Sequence, residues 1–328
     1  MTVEKITIAK DLEICRILNG MWQVAGGHGQ IDKELAIADM IEYHKSGFTT
    51  WDLADIYGPA ESLIGEFQEK IDKTQSQALT KFVPNPGPMS NSIVTYHIEQ
   101  SLKKMKTDRI DLLQFHWWDY NDSSYLDALN HLSKLQKDGK IKHLGLTNFD
   151  TKRVKIMIER GFQIVSNQVQ YSILDQRPEK IMTPFFAKHG IKILTYGTLL
   201  GGFFSEKYLG LDEPHRGELT TSSLQKYKNM IDVWGGWNLF QELLCTLDQI
   251  SKKHGCSIAN IATRFVLDRP QVAGVIIGAR LGINNHRNDN AKVFDIKLDN
   301  NDISMINAIT EKSNDLFEII GDCGDEYR

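Results

Sequence analysis

The stretch FTTWDLADIYGPAESLIG, residues 48 to 65, sets Asp52, Asp55 and Tyr57 within six residues of one another, just where an apolar run ends. Other apolar runs end on polar groups too. QALTKF brings Lys81, RIDLLQFH ends in His116, and IKHLGLTN ends in Thr147 and Asn148. IVSNQVQ carries Ser166, Asn167 and Gln168, IKILTYG carries Tyr196, and VAGVIIGA leads to Arg280. Polar groups near a core cost free energy unless they are paired or used. Taken singly, each has a plain structural role. Tyr57 reads as packing, Lys81 as a solvated loop lysine and His116 as a satisfied core histidine, while Thr147 and Asn148 read as helix caps. As a set, Asp, Lys, Tyr and His suit protonation of a carbonyl oxygen. A free phenol has a pKa of about 10, which a neighbouring ammonium lowers. Asp52 would hold the Lys81 ammonium, Tyr57 would give its proton, and His116 would orient the accepting oxygen. The set lacks a source of electrons, so a cofactor that delivers hydride is expected.

One face of one fold must present these groups. Short runs, apolar on both sides, alternate with amphipathic segments along the chain: RILNG at 16–20, FTTWD at 48–52, then 77–82, 109–116, 141–148, 164–170, 191–197 and 272–279. That alternation predicts a parallel sheet covered by helices. Eight such units predict a closed (β/α)₈ TIM barrel, whose active site lies at the C-terminal ends of its strands. An open nucleotide-binding sheet would want GxGxxG after its first strand, whereas GMWQVAGGHGQ follows here. No Ser/Gly/Pro-rich linker divides the chain, so residues 1–328 are expected to form a single domain. The one long irregular piece, 201–238, follows the seventh strand. Its aromatics argue against disorder and suggest a flap over the site.

A net charge of −4 over 328 residues gives no basic face for nucleic acid. No apolar run reaches the length of a membrane span, and MTVEKITIAKDLEICR does not read as a signal peptide. Cys15, Cys245, Cys256 and Cys323 are scattered, which predicts reduced thiols, a cytoplasmic setting and no metal site.

With these motifs in place, the chain from about 14 to 317 resembles the aldo-keto reductases. GFTTWDLADIYGPAESLIG is similar to the family signature around its catalytic Asp and Tyr, which fall on Asp52 and Tyr57. LTK supplies the matching Lys81, and LLQFHWW the matching His116. The resemblance implies a TIM barrel with an N-terminal hairpin, and NADP(H) as cofactor. It implies that Thr147, Asn148 and Gln168 grip the nicotinamide carboxamide, that Tyr196 stacks on the ring, and that Leu199, Gly201 and Gly202 wrap the pyrophosphate. For the adenosine 2′-phosphate end it implies Gly278, Arg280, His286 and Asn290. IIGARLGINNHRNDN departs here from the family's Pro-Lys-Ser or Pro-Gly-Ala-Ser patterns, which leaves NAD(H) open as an alternative. Trp22 and Trp117 are expected to line an apolar pocket for a small carbonyl or alcohol substrate. Two rival readings are a non-catalytic NADPH-binding regulatory subunit on the same fold, and a metal-dependent barrel hydrolase. The second would need ligand pairs such as HxH, which the sequence lacks.

Overall fold

The computed structural model describes residues 2–26 and 31–327, so most of the GGHGQ stretch, residues 27–30, lies outside the described residues. The chain opens with an antiparallel hairpin, β1 (Lys5–Ala9) and β2 (Leu12–Cys15). Asp11, at φ 59°, makes its turn in the left-handed region that Asp tolerates better than most residues. Eight parallel strands follow: β3 (Ile17–Gly20), β4 (Thr50–Asp52), β5 (Gln77–Phe82), β6 (Ile110–His116), β7 (Ile141–Thr147), β8 (Ile164–Gln170), β9 (Lys192–Tyr196) and β10 (Val272–Gly278). β10 pairs with both β9 and β3, which closes the barrel. The eight predicted strands are all present, most of them trimmed by one or two residues.

The barrel interior is built in layers of opposite character. At the N-terminal end Leu18, Leu79, Leu112, Leu194 and Ala273 form an apolar cluster with Ile8, Leu12 and Ile14 of the hairpin, so the hairpin seals that end with hydrocarbon. One step up each strand the inward residues turn polar, because side chains two apart share a face. Leu79 is followed by Lys81, and Leu112 by Gln114 and His116. Gly145 permits this crowding: a Cβ there would lie 2.6 Å from Ser166 Oγ and 3.2 Å from a Leu112 methyl.

Register then sets the rim. Asp52 pairs beside Leu79, Lys81 beside Gln114, His116 beside Thr147, Thr147 beside Gln168, and Gly278 beside Gly20. The predicted polar strand ends therefore share one end of the barrel.

The helices that cover the sheet include α1 (Lys33–Lys45), α2 (Ala60–Gln68), α3 (Asn91–Lys104), α4 (Tyr125–Lys137), α5 (Thr151–Glu159) and α6 (Met182–His189). The segment read as irregular, 201–238, differs from expectation. It holds α7 (Ser222–Trp234), started by the Thr221 hydroxyl accepting from Leu224 N, and the first turn of α8 (Gly236–His254). Its aromatics are not a flap. Phe203, Phe204, Trp234 and Trp237 are buried, and Phe203 packs on Tyr208, Trp237 and Phe240. Burying those rings against α8 removes more apolar surface from water than a mobile cover would. The chain continues through α9 (Ile258–Leu267), α10 (Arg287–Lys292), α11 (Asn300–Thr310) and α12 (Leu316–Ile320).

Candidate active site

Three neighbouring strand ends bring the first set together: β4 and its following loop carry Asp52 and Tyr57, β5 carries Lys81 and β6 ends in His116. Lys81 Nζ donates to Asp52 Oδ2 at 2.6 Å and to the Leu53 carbonyl at 2.9 Å, with both side chains almost wholly buried. The same ammonium lies over the Tyr57 ring, 4.9 Å from its centroid. Tyr57 hangs in the loop after β4, its backbone N–H bonded to the Ala54 carbonyl and its ring edge-on to Trp22 at 5.0 Å. His116 Nδ1 faces the Thr147 carbonyl at 3.0 Å. A carbonyl only accepts, so Nδ1 carries the hydrogen, a tautomer assigned from its partner. The neutral ring then presents Nε2 as an acceptor, and donation to a substrate oxygen requires imidazolium.

Electrostatics differ from the simple expectation for Tyr57. Burial, and then the Asp52 charge, push its pKa well above 10. Desolvation is the largest of these effects and prevails over the nearby Lys81 ammonium in the resting site. Lys81 itself is lowered from 10.5 by burial, against the pull of Asp52. The phenol therefore stays protonated at neutral pH, which suits a donor.

Asp55 takes no part in this constellation. Its Oδ2 accepts from Val83 N at 3.2 Å, tying the loop after β4 to that after β5. Burial raises its pKa from 3.8 to about 6. An acid whose pKa is higher folded than unfolded binds more protons when folded, so its stabilisation is full below 3.8 and is lost as pH rises through about 6. Asp55→Asn keeps an acceptor for Val83 N and removes the titration. Its Tm relative to wild type is expected to rise between about pH 4 and about pH 7; a difference that stays constant across that range would contradict the assignment.

Next to this cluster lie the groups expected around a nicotinamide. Thr147 Oγ1 is buried with no hydrogen-bond partner among the described residues. Asn148 sits at φ 57°, its N–H on the Gln168 carbonyl and its Oδ1 accepting from Tyr196 Oη at 2.8 Å. Gln168 Nε2 spends both hydrogens inside the barrel, on Asp52 Oδ1 and Gln114 Oε1, each at 2.7 Å. What remains of Gln168 toward a carboxamide is its acceptor oxygen. An unsatisfied buried hydroxyl beside amide groups is a set that fits a carboxamide.

A feature absent from the sequence reading meets this group. The C-terminal segment folds back over the rim, anchored by Arg177, which is fully buried. Arg177 forks onto both Asp175 oxygens at 2.8 Å and also donates to the Asp322 carbonyl and to Glu326 Oε2 at 3.1 Å. Cys323 is buried behind it. The segment delivers Tyr327, whose Oη lies 2.9 Å from Tyr196 Oη and 2.5 Å from Lys226 Nζ, with its ring edge-on to His116. Lys226, from α7, also lies over the Tyr196 ring at 5.2 Å.

The more distant positions fall along the same rim. Leu199, Gly201 and Gly202 form a tight turn after β9, with Gly201 at φ 66° and Gly202 at φ 108°. Gly278 ends β10, and Arg280 is exposed beyond it. His286 stands at the N-cap position of α10 without a side-chain capping bond, and Asn290 is buried within the helix. Arg287 is engaged elsewhere, in an ion pair with Asp39 at 2.6 Å and over the Tyr43 ring. Asp289 accepts from Ser257 and Asn260, which docks α10 on the start of α9.

Of the two tryptophans expected in the pocket, Trp22 stands 40% exposed against Tyr57. Trp117 does not join it. Its indole N–H donates to the Asp119 and Asp122 carbonyls, and it packs on Phe115. Trp118 instead reaches the rim, its ring centroid 4.3 Å from that of His116 and edge-on to it. Among the described residues no group of three or more His, Cys, Asp or Glu could hold a metal ion, and no helix is long and apolar enough to cross a membrane.

Similar proteins have this fold. A sequence model of the Aldo/keto reductase family matches residues 16–311. The NADH-specific methylglyoxal reductase of Escherichia coli is 22% identical, over 92% of this chain and 96% of its own length. Flagellar radial spoke protein 5 of Chlamydomonas reinhardtii is 26% identical over 66% of this chain, which spans 49% of that protein's length. Among solved structures, the glycerol dehydrogenase of Gluconobacter oxydans superposes with a TM-score of 0.80 at 22% identity, covering 94% of this chain and 95% of that one. An aldo/keto reductase of Klebsiella pneumoniae in complex with NADP and acetate gives 0.72 at 19% identity, with 94% and 95% covered.

Proposed function

The chain belongs to the aldo/keto reductase family, and from that premise we propose that it reduces aldehydes and ketones to alcohols, with NADP(H) as the redox partner and Tyr57 as the proton donor. The observation that carries this reading is that Asp52, Tyr57, Lys81 and His116 come from three neighbouring strand ends, with a buried ion pair under a protonated phenol.

Bound reduced nicotinamide would supply hydride to the carbonyl carbon. The chain's own residues do the rest. Thr147, Asn148 and Gln168 would hold the carboxamide and Tyr196 would face the ring. The turn at Leu199, Gly201 and Gly202 would take the pyrophosphate, with Gly278, Arg280, His286 and Asn290 at the adenosine end. Tyr57 gives its proton to the carbonyl oxygen as that oxygen gains charge. Lys81 stabilises the phenolate left behind, while Asp52 keeps Lys81 charged and in place. His116 orients the oxygen, donating to it when protonated. Trp22 and Trp118 wall an apolar pocket.

Arg280 supports NADP over NAD, since an exposed guanidinium at the strand end suits a phosphate. Arg280→Ala is expected to raise KM for NADPH roughly tenfold or more and to leave KM for NADH unchanged. Equal effects on both cofactors would remove Arg280 from the 2′-phosphate site.

One observation favours a second reading, a cofactor-binding subunit without turnover: Tyr327 and Glu326 already contact Tyr196. A panel of aldehydes and ketones with NADPH and with NADH separates the two readings. The first predicts cofactor oxidation with at least some carbonyls; the second predicts binding, seen as tryptophan quenching, without oxidation by any of them.

A further inference from the structure

The inner layer of the barrel holds a residue to which neither the sequence motifs nor the catalytic set gives a role. Gln114 lies on β6 two residues before His116, so both point inward, and it is fully buried. Its Nε2 donates to Asp52 Oδ1 at 2.9 Å, and its Oε1 accepts from Gln168 Nε2 at 2.7 Å. Gln168 Nε2 also donates to Asp52 Oδ1, at 2.7 Å. Asp52 thus has one oxygen on Lys81 and the other on two amides. This pattern fixes both amide orientations. Turning Gln114 over would set its oxygen against a carboxylate and its N–H groups against those of Gln168.

We propose that Gln114 is a positioning residue for the reaction: it holds the second oxygen of Asp52, so that the carboxylate stays aimed at Lys81. The inference rests on the carbonyl-reduction reading above. A buried carboxylate is costly, and amide donors to its charged form offset that cost. Gln114 also orients Gln168, which links the carboxylate to the cofactor side of the barrel. A glutamine that only filled space would not need all its described partners to be Asp52 and Gln168. Such a residue acts through Asp52 and touches no substrate, so its removal should lower kcat more than it changes KM for the carbonyl.

Two near-isosteric variants test this. Gln114→Leu removes the donor at every pH and is expected to lower kcat about tenfold or more, with KM for the carbonyl within about twofold and no new pH dependence. Gln114→Glu keeps a donor only while the introduced carboxyl is protonated. Burial and the Asp52 charge raise the pKa of that carboxyl. Its kcat should stand near wild type at low pH and fall through a new ionisation as pH rises. A Gln114→Glu profile parallel to wild type would overturn the proposal, as would full kcat in Gln114→Leu.

Thermal stability supplies a readout that needs no turnover. With its folded pKa raised, the introduced carboxyl contributes stability below its unfolded pKa and loses it as pH rises. The Gln114→Glu protein should therefore lose Tm relative to wild type with increasing pH, and adding Asp52→Asn should weaken that loss. Equal pH slopes with and without Asp52→Asn would overturn the contact. A wild-type protein that turned over no carbonyl would instead overturn the functional reading and leave this stability test standing.

Discussion

Tyr57→Phe is expected to lower kcat for carbonyl reduction by about 10²–10⁴-fold, the span typical of a positioned acid. NADPH binding should be unchanged. The substitution removes one oxygen and leaves the ring, so the edge contact with Trp22 and the position over the Lys81 ammonium survive. Because burial and Asp52 hold the phenol protonated, the wild-type rate should show no fall attributable to Tyr57 ionising near neutral pH. Stopped-flow single turnovers with saturating NADPH separate the chemical step from cofactor release. A variant that keeps wild-type single-turnover rates would transfer the proton role to another group, and imidazolium at His116 would be the first to examine.

Lys81→Met is expected to damage stability and activity together. The side chain is of similar reach but leaves Asp52, 3% exposed, with only the amides of Gln114 and Gln168. Removing one partner of a buried ion pair typically costs about 3–5 kcal/mol, because the remaining charge is uncompensated. The sign with pH follows from Asp52. Without the ammonium, burial raises its folded pKa above the unfolded value, so the variant keeps most of its stability at low pH and loses it as pH rises. Denaturant titrations at about pH 5 and about pH 8 should therefore show the larger deficit at the higher pH. Catalysis should fall at both, since the phenolate left by proton transfer has lost its cation. A variant with wild-type stability at both would mean that the Asp52–Lys81 pair is solvated in solution.

The strands, the barrel and the polar rim were legible because each apolar run ends where its inward face passes from the hydrocarbon layer to the buried polar layer, and the break to Asp52, Lys81, His116 or Thr147 marks that boundary. Gln114 was harder to see. It interrupts the apolar run LLQF, but its significance lies in sharing a face with His116, which period-two counting alone could have suggested. Trp117 and Trp118 show the limit of the same counting. Once β6 ends at His116, strand alternation no longer decides which indole turns inward. The stretch 201–238 concealed α7 because its first half is loop and its helix start rests on one capping residue, Thr221. The C-terminal segment was not legible at all. Its place depends on Arg177 meeting Glu326 and Lys226 meeting Tyr327, pairs about 150 and 100 residues apart that no local pattern encodes. The departure of Tyr57 from the expected pKa direction has a similar origin, since burial depth, not residue type, decides whether desolvation or the ammonium prevails.

Every role assigned above depends on hydride transfer to a carbonyl carbon. The direct measurement is to supply NADPH carrying deuterium at the transferable position of the nicotinamide ring, add an aldehyde that the panel shows to be consumed, or the whole panel if none stands out, and analyse the products by mass spectrometry. Alcohol labelled at the former carbonyl carbon is expected, in amounts matching the cofactor oxidised, and none with Tyr57→Phe over the same interval. Bound cofactor that stays reduced in the presence of every carbonyl, or alcohol formed without the label, would contradict it.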